Sequence, residues 1–258
     1  MNRVSACLIT LNEEANLPRA LASLREVADE IVVVDSGSTD GTAEIARSAG
    51  ALFLERPWTT YADQKNYAAE CASNDWILSV DADEELSSPL QTCLLSWKKH
   101  TPEHSVYDVA RKTWYLGKWI EHSGWYPDFQ RRLYRRDQAE FSGLVHESLR
   151  FSGRPGRLNG DLLHYTVNSL DEHEANVERY TTLAAQQMFA EGKRSWKGAI
   201  WFATPWSWFQ NFVLRGGFMD GYRGAIIARM AARSVRLKYA KLGRLVESSR
   251  DAGREAAT

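Results

Sequence analysis

Two carboxylates one residue apart, Asp81 and Asp83, follow the apolar run Trp76-Ile77-Leu78-Ser79-Val80. A buried strand ending in such a pair presents oxygen ligands to a hard divalent cation. Mg²⁺ and Mn²⁺ take one or two carboxylates and fill their other positions with water and phosphate oxygens. A nucleoside diphosphate supplies those phosphates, so the spacing points to a nucleotide-linked substrate and a metal-neutralised leaving diphosphate. Asp83 is the expected direct ligand, with Asp81 reaching the ribose or a metal-bound water. The competing reading is a pair of solvated turn aspartates. Glu84 and Glu85 sit where a helix or turn should begin, and carboxylates are favourable there without any function.

The elements that must position these groups alternate in type. Val4–Thr10 reads as a strand, and Asn12 to Leu24 as a helix with Leu17, Leu21 and Leu24 at helical spacing and Pro18 in its first turn. Glu30–Asp35 is a second strand, Thr42–Ala49 a helix, Leu52–Glu55 a third strand, Tyr61–Cys71 a helix and Trp76–Val80 a fourth strand. This order implies an α/β fold with a mixed, mainly parallel sheet and flanking helices. Ligands on such sheets sit beyond the strand C-termini. Asn12-Glu13, Asp35 and Asp81-Ala82-Asp83 all fall at such ends and should converge on one crevice. Past residue 100 come strand-like pieces, Val106–Tyr115, Phe129–Tyr134, Gly143–Leu149 and Leu162–Tyr165. A helix over Asp171–Glu191 and a basic helix over Phe218–Val246 follow. The chain divides accordingly into a nucleotide-sugar-binding half (1–100), an acceptor-binding half (101–170) and a basic helical C-terminal extension (171–258).

Composition narrows the class. The 258 residues suffice for one large core. The net charge of −1 hides an asymmetry: residues 1–100 hold 16 acidic and 8 basic side chains, the remainder 17 and 24. A basic second half fits an anionic acceptor or membrane surface. Three cysteines, Cys7, Cys71 and Cys93, form neither a disulfide framework nor a metal spacing, and no signal peptide opens the chain, so a cytoplasmic location is expected. Gly198 to Leu214 is uncharged and tryptophan-rich, yet shorter than the ~20 residues of a span. It reads as an interfacial segment that, with the basic helix, contacts the inner face of an anionic membrane peripherally. No nucleic-acid module accompanies the basic patch.

Three motifs in order, Thr10-Leu11-Asn12-Glu13-Glu14, Val34-Asp35-Ser36-Gly37-Ser38-Thr39-Asp40-Gly41-Thr42 and Asp81-Ala82-Asp83, resemble the signature of family 2 glycosyltransferases of GT-A (Rossmann-like) fold. Gln64-Lys65-Asn66, Gly124-Trp125-Tyr126-Pro127-Asp128, Gln130-Arg131-Arg132-Leu133-Tyr134, Val145-His146-Glu147 and Gly217-Phe218-Met219-Asp220-Gly221 are similar to the bacterial lipopolysaccharide inner-core β-1,4-glucosyltransferases. The resemblance implies inverting transfer of a sugar, glucose from UDP-glucose, to a lipid-linked saccharide such as inner-core heptose, with Mg²⁺ or Mn²⁺ as cofactor. It places Thr10, Asn12, Glu13, Asp35 and Lys65 at the nucleotide sugar, Asp35 at uracil or ribose and Glu13 at the ribose. On the residues alone, Asp35 could equally cap its turn, and Asn12 and Glu13 could open a helix.

Arginine suits phosphate because its planar fork bonds in pairs. Arg131 and Arg132 alternate on a strand, so only one can face the crevice; Arg132 is assigned there, with Arg131 as the alternative. The general base is Glu147, with Asp128 second. His146 is an additional metal ligand or phosphate partner; the plainer reading, a strand histidine satisfied by backbone, applies with more force to His164. Trp114, Trp119 and Trp125 with Tyr115 and Tyr126 could form a sugar platform. The rival functions are transfer to another surface polysaccharide or glycolipid, a sugar nucleotidyltransferase, and a non-catalytic saccharide binder. The acidic, glycine-free stretch Leu11–Asn16 disfavours the nucleotidyltransferase.

Overall fold

The computed structural model describes residues 1–143, 147–167, 169–194 and 197–255. The chain forms two compact units, residues 1–112 with 127–165, and residues 113–126 with 166–258.

In the first unit, strands β1 (Val4–Thr10), β2 (Glu30–Asp35), β3 (Leu52–Glu55) and β4 (Trp76–Ser79) are all parallel. They stand in the order β3-β2-β1-β4. The helices α1 (Leu17–Leu24), α2 (Thr42–Ser48) and α3 (Tyr61–Cys71) are the crossovers between them. Register sets Thr10 opposite Asp35 and Asp35 opposite Glu55, so the polar strand ends form one row. Side chains from both faces of the sheet are buried, which explains the unbroken apolar runs. Val4, Ala6, Leu8, Val33 and Leu78 pack against α1, while Cys7, Val32, Val34 and Ile77 pack against Ala62, Ala68 and Ala69 of α3.

The sheet continues beyond β4 with β8 (Asp128–Arg135), β6 (Val106–Tyr115), β11 (Gly156–Val167) and β5 (Glu84–Leu86). β8 is antiparallel to β4 and β6, and β11 to β5. The fold is therefore the expected mixed sheet, with its parallel part carrying the three motifs. A separate hairpin joins β9 (Ala139–Ser142) to β10 (Ser148–Phe151).

The local expectations differ from the structure at four places. The first helix starts at Leu17, because Asn12 takes φ +56° and its side chain is committed to Thr39. Glu84 and Glu85 lie in a strand; Glu84 is fully buried and pairs in register with His164. Helix α4 (Ser88–Trp97) went unread although Ser87, which accepts from the Leu90 amide, and Pro89 mark its start. The strand expected over 143–149 is instead the β9–β10 hairpin, and residues 144–146 lie outside the described residues.

In the second unit, residues 114–115 pair with the short β7 (Lys118–Trp119). α5 (Leu170–Ala190) and α6 (Lys197–Phe209) both pack on the long α7 (Tyr222–Glu255). Ser169 caps α5 by accepting from the Glu172 amide. Pro205 interrupts the bonding of α6, which ends in a π-helical turn (Gln210–Leu214) and a 3₁₀ turn (Gly217–Asp220). The 3₁₀ turn displaces the start of the basic helix from 218 to 222. A Cβ on Gly224 would stand 1.7 Å from the Gly217 carbonyl oxygen, so only glycine permits this joint. Among the described residues, no helix is long and apolar enough to cross a membrane.

Candidate active site

The first strand ends at Thr10, whose hydroxyl donates to Asp35 Oδ1 at 2.7 Å. Asp35 also accepts from the Ser38 hydroxyl and from the Gly37 and Ser38 amides at 2.5, 2.9 and 2.7 Å. Burial pushes its carboxyl up, but these bonds outweigh burial and hold it below the usual range. Both oxygens are thus used within the turn, so in this conformation Asp35 organises the loop. Asn12 does similar work. Its amide donates to Ser38 Oγ and its Oδ1 accepts from the Thr39 amide, tying the first strand's loop to the second's.

Beside these loops lies a cavity of about 440 Å³ lined by Thr10, Leu11, Glu13, Ser36, Trp58 and Tyr61. Trp58 and Tyr61 meet edge to face, 4.7 Å between centroids, and both are exposed. Sequence reasoning missed them. Their signal was two aromatics flanking Thr59-Thr60, the latter the N-cap of α3.

The fourth strand delivers Asp81 and Asp83 to separate surroundings. Asp81 Oδ1 is 2.9 Å from Lys65 Nζ, and Asp81 Oδ2 is 2.6 Å from Arg132 Nη2. The same Arg132 nitrogen is 2.6 Å from Glu84 Oε1. Burial opposes the charge on Asp81, but the Arg132 and Lys65 cations override it and hold the carboxyl well below its usual range. Glu84, with no exposed surface, moves the other way: burial and Asp81 raise it against the pull of Arg132. Arg132 is therefore a buried cation neutralised by two carboxylates. Arg131, the alternative, is far more exposed and lies over the Phe151 ring. Both arginines line a second cavity of about 340 Å³, together with Lys65, Asp81, Asp108, Arg111 and Glu147.

The Gln64-Lys65-Asn66 tripeptide of α3 positions this cavity residue by residue. Gln64 donates to the Pro57 carbonyl. Lys65, 6% exposed, bridges Asp81 and Glu147 (Oε1 at 3.2 Å). Asn66 exchanges two hydrogen bonds with the Phe141 backbone. Although it lies on a helix, Lys65 is thus buried between carboxylates. Glu147 faces the cavity, whereas Asp128 is tied to Arg111 and Gln130. Arg111 Nη2 lies 2.6 Å from Asp128 Oδ2, and Gln130 donates to Oδ1. Asp108 was not anticipated. It lines the same cavity, burial raises its carboxyl, and among the described residues Oδ1 is buried without a hydrogen-bond partner.

Asp83 Oδ2 is 3.1 Å from Nε2 of His164, and the Tyr165 amide donates to its carbonyl. His164 is not the backbone-satisfied strand histidine that sequence suggested; its Nδ1 is buried without a partner among the described residues. His146, the other metal candidate, lies outside the described residues. Among them, no three His, Cys, Asp or Glu side chains form a preformed metal cage. One carboxylate and one imidazole suit a cation that takes its remaining ligands from diphosphate and water. Glu13 supports that fit: burial first, then Asp83, Asp40 and Asp81, raise its carboxyl against the Asn16 bond.

The aromatic platform is corrected. Tyr115 is fully buried, with Trp125 packed against it and Ile227 in a core of the second unit, so Tyr115 cannot stack on a sugar.

The sequence profile described as "Glycosyl transferase family 2" matches residues 5–149, a span that holds all three strand-end motifs. The chain belongs to glycosyl transferase family 2. Over 257 residues this glycosyltransferase is 34% identical to the lipopolysaccharide core biosynthesis glycosyltransferase LpsC of Rhizobium meliloti, covering 92% of this chain and 93% of that one. An uncharacterized glycosyltransferase of Rickettsia typhi is 31% identical over 97% of this chain and 90% of its own. A crystal structure of glucosyl-3-phosphoglycerate synthase from Mycobacterium tuberculosis, with Mn²⁺, uridine diphosphate and phosphoglyceric acid, superposes with a TM-score of 0.36 at 23% identity. That match spans 45% of this chain and 44% of the other, less than half of either.

Proposed function

We propose that this glycosyltransferase moves a hexose, glucose from UDP-glucose, with inversion onto a hydroxyl of a lipid-linked saccharide, the heptose of the lipopolysaccharide inner core. The observation that carries the reading is the convergence of Thr10, Glu13, Asp81 and Asp83 at the C-terminal ends of parallel strands, with His164 brought to Asp83 by the β5–β11 pairing. Similarity to LpsC along nearly the whole of both chains supports the acceptor class.

In this reading the base and ribose of the donor lie in the cavity of Trp58, Tyr61, Thr10 and Glu13. Aromatic faces there would cover the base, and Glu13 would accept from ribose hydroxyls. Asp35 and Asn12 act indirectly, by fixing the loops that form the walls. Asp83 and His164 would hold Mg²⁺ or Mn²⁺, which when bound supplies positive charge to the leaving diphosphate. Lys65 and Arg132, themselves paired with carboxylates, fix Asp81 at the cavity wall. Glu147 faces the acceptor side and takes the proton from the attacking hydroxyl; attack on the anomeric carbon then expels UDP in one displacement, without a covalent intermediate. Asp128, already bonded to Arg111 and Gln130, shapes this wall.

The test is release of UDP by the purified chain across a panel of UDP-sugars, with Mg²⁺ or Mn²⁺, with and without core-truncated lipopolysaccharide. Release from UDP-glucose, stimulated by one truncated acceptor and reduced roughly 10³-fold in Asp83→Ala, is the expected result. Full activity in Asp83→Ala would overturn the metal assignment. Release of pyrophosphate in place of UDP would point to nucleotidyl transfer.

A further inference from the structure

The second unit carries an apolar face that is exposed among the described residues. α6 exposes Trp201, Phe202, Pro205, Trp206, Trp208 and Phe209; Trp201 and Phe202 are each 79% exposed. At 100° per residue these six occupy one side of the helix. Val213, Leu214, Phe218, Met219 and Tyr222 prolong the exposed apolar surface through the π and 3₁₀ turns to the start of α7. Isolated exposed apolar residues are ordinary, but a contiguous aromatic surface marks an interaction site. No charged residue interrupts the sequence from Gly198 to Leu214.

The charges beside this face identify its partner. Tyr222, Arg229 and Arg236 recur at seven-residue spacing on α7 and so share one stripe, and Arg244 stands about 80° round the helix from Arg236. All three arginines are exposed, and none has an ion-pair partner among the described residues. Other basic side chains of α7 are spent on packing: Arg233 pairs with Glu174, and Lys241 with Glu178, both on α5. The stripe thus begins at the aromatic patch and runs on as unpaired positive charge.

We infer that this unit docks on an anionic lipid surface, with α6 lying in the plane of the interface and the α7 arginine stripe against acidic headgroups. α6 has 13 residues, so it is about 20 Å long, too short for a hydrocarbon core of ~30 Å. Tryptophan is favoured at headgroup depth, and an in-plane helix with an aromatic face and flanking arginines binds by apolar burial plus attraction to acidic lipid. A second copy of the chain is a poorer occupant. A two-fold contact pairs the same patch on both copies, so it would bring aromatic surface to aromatic surface without supplying acidic groups for the arginine stripe.

Vesicle flotation of the full chain tests this without donor or acceptor, so its outcome is independent of the sugar-transfer reading. The chain should float with vesicles of phosphatidylcholine plus phosphatidylglycerol, far less with phosphatidylcholine alone, and less as salt rises. The double variant Trp201→Ser/Phe202→Ser should lower binding about tenfold on both vesicles. Arg229→Gln/Arg236→Gln should lower it roughly thirtyfold on anionic vesicles only. Circular dichroism melting identical to the parent shows that both variants fold. Failure to float on any vesicle, binding indifferent to both doubles, or a solution dimer dissolved by Trp201→Ser/Phe202→Ser would overturn the inference.

Discussion

At the scale of single residues, the site separates carboxylates that sequence could only name together. Asp81, Asp83 and Asp35 all close apolar runs, and nothing in their spacing distinguishes the one locked in a turn from the one facing a histidine. The difference lies in partners distant in sequence: Ser38 and Thr10 for Asp35, Lys65 and Arg132 for Asp81, His164 for Asp83. Asp108 was illegible for the same reason, since its β6 position looked like any strand polar residue until β8 and β10 closed the cavity around it. Of the three carboxylates that line that cavity among the described residues, Asp81 is tied to Lys65 and Arg132, and kinetics separates the other two, Glu147 and Asp108. Glu147→Gln should reduce kcat by 10²–10⁴-fold, roughly the contribution of a general base, with little change in donor KM. Asp108→Asn should mainly raise the acceptor KM. Were Asp108 the base, its raised carboxyl would place the acidic limb of the kcat/KM profile above the ordinary aspartate range, and Asp108→Asn would abolish that limb.

At the scale of elements, α4 was passed over despite Ser87 and Pro89, while β1–β4 and α1–α3 were legible because each carries a helical period or an unbroken apolar run between turn residues. β5 was not. Three residues beginning Glu-Glu have no strand signature, and burial of Glu84 is stabilised only once β8 contributes Arg132 and β11 covers the edge. One ionic cluster therefore fastens the end of β4, β5 and β8 together. Glu84→Ala should cost about 3–5 kcal/mol of stability, because it leaves Arg132 buried with a single counter-ion and opens a void. Glu84→Gln, which keeps the shape and one acceptor, should cost less. Urea unfolding with donor absent measures both, and a near-neutral Glu84→Ala would show that the cluster is not what holds β5.

At the scale of the whole molecule, the acidic first hundred residues and the basic remainder sort chemistry by place. On the proposed reading, the carboxylates of the first unit would handle a cation and diphosphate, and the exposed arginines of α7 would meet lipid charge. The division of the chain does not follow sequence order. Residues 113–126 belong with the C-terminal helices: Tyr115 and Ile120 pack with Ile227, His122 pairs with Asp220, and Arg223 Nε donates to the Leu116 carbonyl. A chain cut after Tyr165 should therefore aggregate or lose solubility, measured by size exclusion, because fully buried Tyr115 and Ile120 lose that cover. A monodisperse product would show that the loop folds without them.

That interleaving bears on how such proteins can diversify. The segment matched by the family profile, residues 5–149, already contains the loop that the C-terminal helices enclose. Moving the second unit to another enzyme would require exchanging two non-contiguous pieces together. With lipid docking as inferred above, changes to lipid preference should arise by substitution on the exposed faces of α6 and α7 rather than by swapping the tail.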